Sequence, residues 1–201
     1  MKKKQKQYIL KWEMFGIFFL VVVGSLLSFV YEWSNKSVLI GILGPVNESV
    51  WEHFKLGFWS LVLFSAIEYR FIRNKTSNFF YAKGLGILIL QGTVLVIYYT
   101  YTMFTAEPIL VIDILSYILG CSLCQIAAGY RVLIKKNYSK TMNVLGLSVL
   151  FIHAVLLITF TFMPPKLQLF QDPKTLTYGI SRSNSSILIS ILMVWSNTNL
   201  L

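Results

Sequence analysis

Five apolar runs of near-membrane length constrain this chain more than any other feature. They lie at about 14–31, 55–72, 84–101, 109–130 and 142–162, and several are nearly free of charge. At about 1.5 Å of rise per residue, such runs match the roughly 30 Å of hydrocarbon in a bilayer. Helices are the expected spanning element, because backbone facing lipid must satisfy its own hydrogen bonds. A β-barrel would alternate polar and apolar positions, whereas these runs are continuous. The sequence therefore predicts an all-α integral membrane bundle of five transmembrane helices occupying residues 1–180.

Composition agrees. The chain is 56% hydrophobic and only 13% charged, against roughly a quarter charged in soluble domains, and a soluble fold has no way to hide that much apolar surface. A net charge of +10 would suit a nucleic-acid binder, but the basic residues flank apolar runs instead of forming a hydrophilic domain. They are read as topology signals and contacts with anionic lipid, so the bilayer is the expected partner and nucleic acid is not. Cys121 and Cys124 both fall within the fourth run, so there is no disulfide framework, and close packing explains the pair better than redox chemistry does.

Loop charge sets the expected orientation. With the N-terminus in the cytoplasm, thirteen of the eighteen basic residues lie inside: Lys2, Lys3, Lys4, Lys6 and Lys11, then Arg70, Arg73, Lys75 and Lys83, then Arg131, Lys135, Lys136 and Lys140. Most acids, including Glu32, Glu48, Glu52, Glu107, Asp113 and Asp172, fall on the outer side. The expected bundle thus has its N-terminus in and its C-terminus out. No small-residue cleavage site follows the first run, which is read as an uncleaved span. Residues 38–43 are too few to cross and suggest an interfacial or re-entrant segment. Pro164-Pro165 stops the last span, and 181–201 is expected to be an outer tail, interfacial or disordered.

Polar residues concentrate at 44–55, Gly-Pro-Val-Asn-Glu-Ser-Val-Trp-Glu-His-Phe-Lys. Ser49 and Glu52 fit a capping box at a helix start. Capping needs one or two polar groups, and five are present: at helical spacing Glu48, Glu52 and Lys55 share one face, with Ser49 and His53 on the next. Asp113 and His153 are ionisable groups inside predicted spans, and such groups usually turn inward and pair. If Glu32, Glu48, Glu52, His53, Asp113 and His153 converge, they form a polar site on the outer half of the bundle. Asn47, Glu48, Glu52, His53, Asp113 and His153 are therefore candidate ligand-binding residues. Glu48, Glu52 and His53 are weak candidates for a divalent metal, because adjacent Glu52 and His53 point about 100° apart. For His153 the plainer expectation is a neutral imidazole bonded to a neighbouring helix. Glu68 is expected to pair locally with Arg70 and Arg73.

Small residues recur every four positions in the fourth run, at Ser116, Gly120, Cys124 and Ala128. Gly24 and Ser28 do the same in the first run, and such stripes let helices approach closely. No nucleotide-binding loop, nucleophile elbow or zinc-protease motif is present. Three functions stay open: a membrane protein binding a small ligand or ion at its outer face, a structural or accessory subunit of a membrane complex, and a membrane enzyme using the Glu/His cluster. The sequence names no cofactor and no catalytic residue.

The 44–55 segment, together with Pro-Pro-Lys-Leu-Gln-Leu-Phe-Gln-Asp-Pro at 164–173 and Tyr178-Gly179-Ile180, resembles a family of small bacterial multi-pass membrane proteins of unknown function. The resemblance covers most of the chain up to Ile180. It implies a bacterial plasma (inner) membrane and five spans, and no activity. Leu176 stands at a turn position where the family pattern leads one to expect glycine, and the serine- and asparagine-rich stretch after Ile180 is unlike the family.

Overall fold

The computed structural model describes residues 1–105, 107–135 and 140–180. Five long helices form one bundle: α1 Lys3–Trp33, α2 Val50–Ile72, α3 Phe79–Thr105, α4 Leu110–Leu133 and α5 Lys140–Phe162. Among the described residues there is no β-strand, only an isolated bridge between Gln171 and Tyr178. The helices run past the apolar stretches that predict them, since flanking Lys and Tyr continue a helix at little cost. The expected tail at 181–201, with Arg182, lies outside the described residues, as does Lys136.

Four helices, α1, α3, α4 and α5, are long and apolar enough to cross a membrane. The fifth, α2, has the length but carries Glu52, Lys55, Glu68 and Arg70. It tolerates three of them because its charged face is turned into the bundle, while Arg70 is exposed near its end. Glu52, Lys55 and Glu68 are buried inside the protein beside Phe54, Phe58, Leu61 and Phe64 of the same helix. The apolar helices show the opposite pattern, exposing Phe18, Phe29, Val96, Leu110, Val144 and Phe151.

Packing follows from that arrangement. α3 lies against α2, α4 and α5, while α1 lies against α2 and α4. Where the surroundings are lipid, burying a leucine against another helix gains little over leaving it in acyl chains, so close backbone approach and polar bonds carry more of the association. Ser116, Gly120, Cys124 and Ala128 are all buried. Gly120 abuts Leu90 of α3, and Cys124 Sγ lies over Gly86. Gly24 makes room for Tyr117 of α4, whose hydroxyl donates to the Leu20 carbonyl at 2.9 Å. Ser28 is half-buried and bonds within its own helix, to the Ser25 carbonyl at 2.7 Å.

The bundle has a basic end, where the N-terminus of α1 meets the C-terminus of α2 through Ile9, Ile72, Phe79, Val132 and Leu133. Its acidic end holds the α2 N-terminus. Residues 38–43 include a single 3₁₀ turn, Ile40–Ile42, that lies along α2, and Trp59 Nε1 donates to the Ile42 carbonyl at 2.9 Å. Residues 164–180 fold back over the same end. Phe170 packs on Trp51 and Phe160 with ring centroids 4.8 and 5.3 Å apart, and Ile180 N donates to Thr161 O at 3.2 Å.

One pairing differs from the sequence expectation. Glu68 pairs with Lys83, not with Arg70 or Arg73. Positions two and five along a helix point away from Glu68, which faces the core. Lys83 is accordingly a buried bundle residue of α3 and not a loop charge.

Candidate functional site

Two buried charge clusters sit at opposite ends of α2. At the acidic end, Ser49 is the N-cap and its hydroxyl accepts from Glu52 N at 3.4 Å. Only half of the capping box forms. The Glu52 carboxylate turns away from Ser49 N, which donates instead to Asn47 Oδ1 at 2.9 Å. Glu52 Oε2 takes Val46 N at 2.9 Å and Lys55 Nζ at 2.5 Å, and Glu52 Oε1 lies 3.2 Å from the Thr161 hydroxyl, whose proton is shared with the Leu157 carbonyl at 2.8 Å. Lys55 uses its other two protons on the Gly41 and Gly44 carbonyls, at 2.6 and 3.3 Å. An ammonium has three donors and all three are placed. This buried pair is balanced in charge, with every ammonium proton placed and a donor at each carboxylate oxygen, and it ties the short 38–43 segment, α2 and α5 together.

The other acidic-end candidates stand apart from it. Glu48 precedes the N-cap, so the helical spacing to Glu52 does not apply, and its exposed carboxylate lies 4.0 Å from His53 Nε2 and 3.8 Å from Lys174 Nζ. His53 Nδ1 is 3.0 Å from the Ser49 carbonyl. Asn47 donates to Gly179 O at 3.1 Å, and Glu48 N donates to Asp172 Oδ2 at 3.2 Å, so the segment at 164–180 is bonded to the turn before α2. Burial alone would raise the Asp172 carboxyl, but amide donation from Thr175, Glu48 and Lys174 outweighs it and holds the group below the ordinary 3.8. Asp172 therefore contributes stability that is complete above the normal carboxylate range and lost as pH falls through the lower value.

Asp113 accepts from the Tyr101 hydroxyl at 2.6 Å, and Glu32 pairs with Lys36 at 3.6 Å on the surface. His153 takes the Gln91 amide at 2.8 Å and sits between the Trp51 and Phe58 rings. An amide N–H donates only to an unprotonated ring nitrogen, so this contact sets the neutral tautomer. Of the six polar candidates, Glu48, His53 and Asp113 lie near one another, His53 acting electrostatically on Asp113, whereas Glu52 is bound to Lys55, His153 to Gln91 and Asn47 to Gly179. Among the described residues, no three His, Cys, Asp or Glu side chains are grouped so as to hold a metal ion.

The basic-end cluster is built differently. Lys83 of α3 lies 3.0 Å from Glu13 Oε1 of α1, 2.7 Å from Glu68 Oε2 of α2 and 3.4 Å from Gln125 Oε1 of α4. All four side chains are buried. The rings of Phe64 and Phe79 flank the ammonium at 5.5 and 5.6 Å. Gln125 belongs to a π-helical stretch, Cys124–Tyr130, a wide turn of a kind that often marks functional positions. Gly16 and Gly129 admit Gln125 and Glu13; a methyl group at either would collide with those side chains. Glu13 Oε2, Glu68 Oε1 and Gln125 Nε2 are buried without a hydrogen-bond partner. Two carboxylates share one ammonium, and acceptors outnumber donors.

Sequence reasoning misses Glu13 and Gln125. The signal was present: Glu13 stands directly before the first apolar run, between Trp12 and Met14-Phe15, and Gln125 is a polar residue inside the fourth run.

Fold and clusters together define a helical protein in which four membrane-length apolar helices pack with a fifth that buries charged residues. The chain belongs to a family of unknown function, DUF6512, whose model matches residues 1–180. No curated protein and no solved structure matches it.

Proposed function

We propose that this is a five-span protein of the bacterial plasma membrane, with its basic end in the cytoplasm, that binds and exchanges a small cation at Glu13 and Glu68. The charge count of the basic-end cluster carries this reading. Two carboxylates and one ammonium leave a net negative charge in a dry site, and an uncompensated buried charge is costly enough to recruit a counter-ion. Groups of this kind within membrane helices ordinarily serve ion or proton pathways. α2 counts as the fifth span because Glu52, Lys55 and Glu68 are buried inside the bundle instead of facing lipid. The Glu52–Lys55 cluster, with every donor placed, is a structural closure.

Purified protein in liposomes, under an imposed membrane potential, tests the reading with interior dyes for protons, sodium and potassium. Flux above that of protein-free vesicles is expected, with loss in both Glu13→Gln and Glu68→Gln. Neither substitution leaves a lone buried charge, so both proteins should fold. Wild-type flux no greater than background for all three cations, or both variants equal to wild type, overturns it. A reporter active only outside the cytoplasm should be active after Glu107 and silent after Lys135; the reverse pattern inverts the orientation.

A further inference from the structure

We infer that the occupant of this site is a single proton held between Glu13 and Glu68, with Lys83 as a permanent counter-charge. The inference rests on the cation-binding reading and names the cation.

The first observation is the approach of the two carboxyl groups to each other. Both contact the one Lys83 ammonium, Glu13 Oε1 at 3.0 Å and Glu68 Oε2 at 2.7 Å, so the two buried carboxyl groups converge on a single point. An ionised carboxylate has acceptors only. Two of them face to face therefore repel, and a proton on either oxygen turns the contact into an O–H···O⁻ bond, the strong charge-assisted kind. Without that proton, Glu13 Oε2 and Glu68 Oε1 have no donor at all. The same proton brings the cluster to one carboxylate, one carboxylic acid and one ammonium, which is neutral overall.

The second observation is Gln125, fully buried, with its Oε1 on Lys83 and its Nε2 unpartnered. It reaches the cluster from the π-helical stretch through Oε1, while its Nε2 rests against Gly16 as an unused neutral donor. Its amide suits a site whose charge changes, since it needs no counter-ion of its own.

A metal cation fits poorly at the same place. Lys83 Nζ already occupies the position between the carboxylates, at 3.0 and 2.7 Å, so a second fixed positive charge would sit beside it. The site also lacks room: Gly16 and Gly129 are filled by Gln125 and Glu13 to the exclusion of a methyl group. A hard cation needs about six oxygen ligands, and the bare oxygens here number two. A proton needs neither volume nor a coordination shell.

The groups facing the pair are Lys83 from α3 and Gln125 and the Cys124 thiol from α4. Glu68 lies four residues from the end of α2 and Lys83 four from the start of α3, so the cluster is about one helical turn in from the basic end. That end is the side from which a proton would load.

Infrared spectroscopy of the purified protein in detergent tests the site itself, with no transport required. With glutamate carboxyls isotope-labelled, a protonated-carboxyl stretch is expected at neutral pH in wild type. It should disappear when the pH is raised, and should be absent at neutral pH in Glu13→Gln and in Glu68→Gln, where the remaining glutamate forms a simple ion pair with Lys83. Glu68→Asp, which keeps the carboxyl, should retain a glutamate band from Glu13, and provides the readout if one glutamine variant fails to fold. A wild-type spectrum with no such band at neutral pH, or a band that persists in both glutamine variants, overturns the proposal. A band abolished by sodium at constant pH also overturns it and leaves the broader small-cation reading standing. A proton band without flux in liposomes supports the site while defeating the transport reading.

Discussion

α2 carries a buried lysine–carboxylate cluster at each end, and the two are opposites. At the acidic end one carboxylate meets one ammonium three residues away, every ammonium proton is placed and each carboxylate oxygen has a donor within reach. At the basic end two carboxylates from α1 and α2 share one ammonium from α3, and three polar atoms are bare. The same residue types make a closed structural tie in one place and a charge-unbalanced site in the other. Stoichiometry decides it: a buried 1:1 pair is strongly destabilised by loss of either partner, whereas a 2:1 cluster gains balance by losing a carboxylate.

The largest expected effect is at Lys83. Lys83→Met leaves the buried Glu13–Glu68 pair with no ammonium and should cost about 3 to 5 kcal/mol, the range associated with breaking a buried pair. Thermal unfolding in detergent measures it, and a small loss would mean that the carboxyls are neutralised without the lysine. Next is Glu52→Gln, which strands the Lys55 ammonium on two carbonyls and should cost about 3 kcal/mol. If that variant is as stable as wild type, the acidic-end cluster is not the tie described here.

Leu176 sharpens the description of the acidic end. Its φ of 57° lies in the left-handed region, where a Cβ costs about 1 kcal/mol relative to glycine. Leu176→Gly should therefore raise stability by about that much, and a loss would show that the side chain contributes packing at the end of the 164–180 segment. The most direct attack on the comparison is Glu68→Gln. It should change stability by less than about 1 kcal/mol, since a balanced Glu13–Lys83 pair remains; a cost equal to that of Glu52→Gln would erase the distinction between the clusters. Smallest of all is Glu48→Gln. That carboxylate is more than half exposed and meets His53 and Lys174 only at 4.0 and 3.8 Å, so less than about 0.5 kcal/mol is expected. A clear loss of stability there would restore the acidic turn as a site in its own right.

Much of the architecture was legible beforehand, and the reason is physical: long uncharged apolar runs in a helix-forming chain have few alternatives. The inward turn of Ser116, Gly120, Cys124 and Ala128 follows from their spacing of four. The local contact between Glu52 and Lys55 was also readable, because three residues along a helix bring side chains together. The role of Glu48 was not, since it depends on the helix beginning at Val50.

By itself, the sequence determined the helical class, the membrane-length runs, the basic and acidic ends, and which residues are too polar for their surroundings. Tertiary structure alone decided which of those polar residues meet. Glu13 and Lys83 are seventy positions apart and Gln125 another forty-two. Periodicity reports the face a residue takes on its own helix, and says nothing of the rotation and depth at which a neighbouring helix packs against it. Those are set by side-chain packing along the whole interface, which here brings two carboxylates to one lysine.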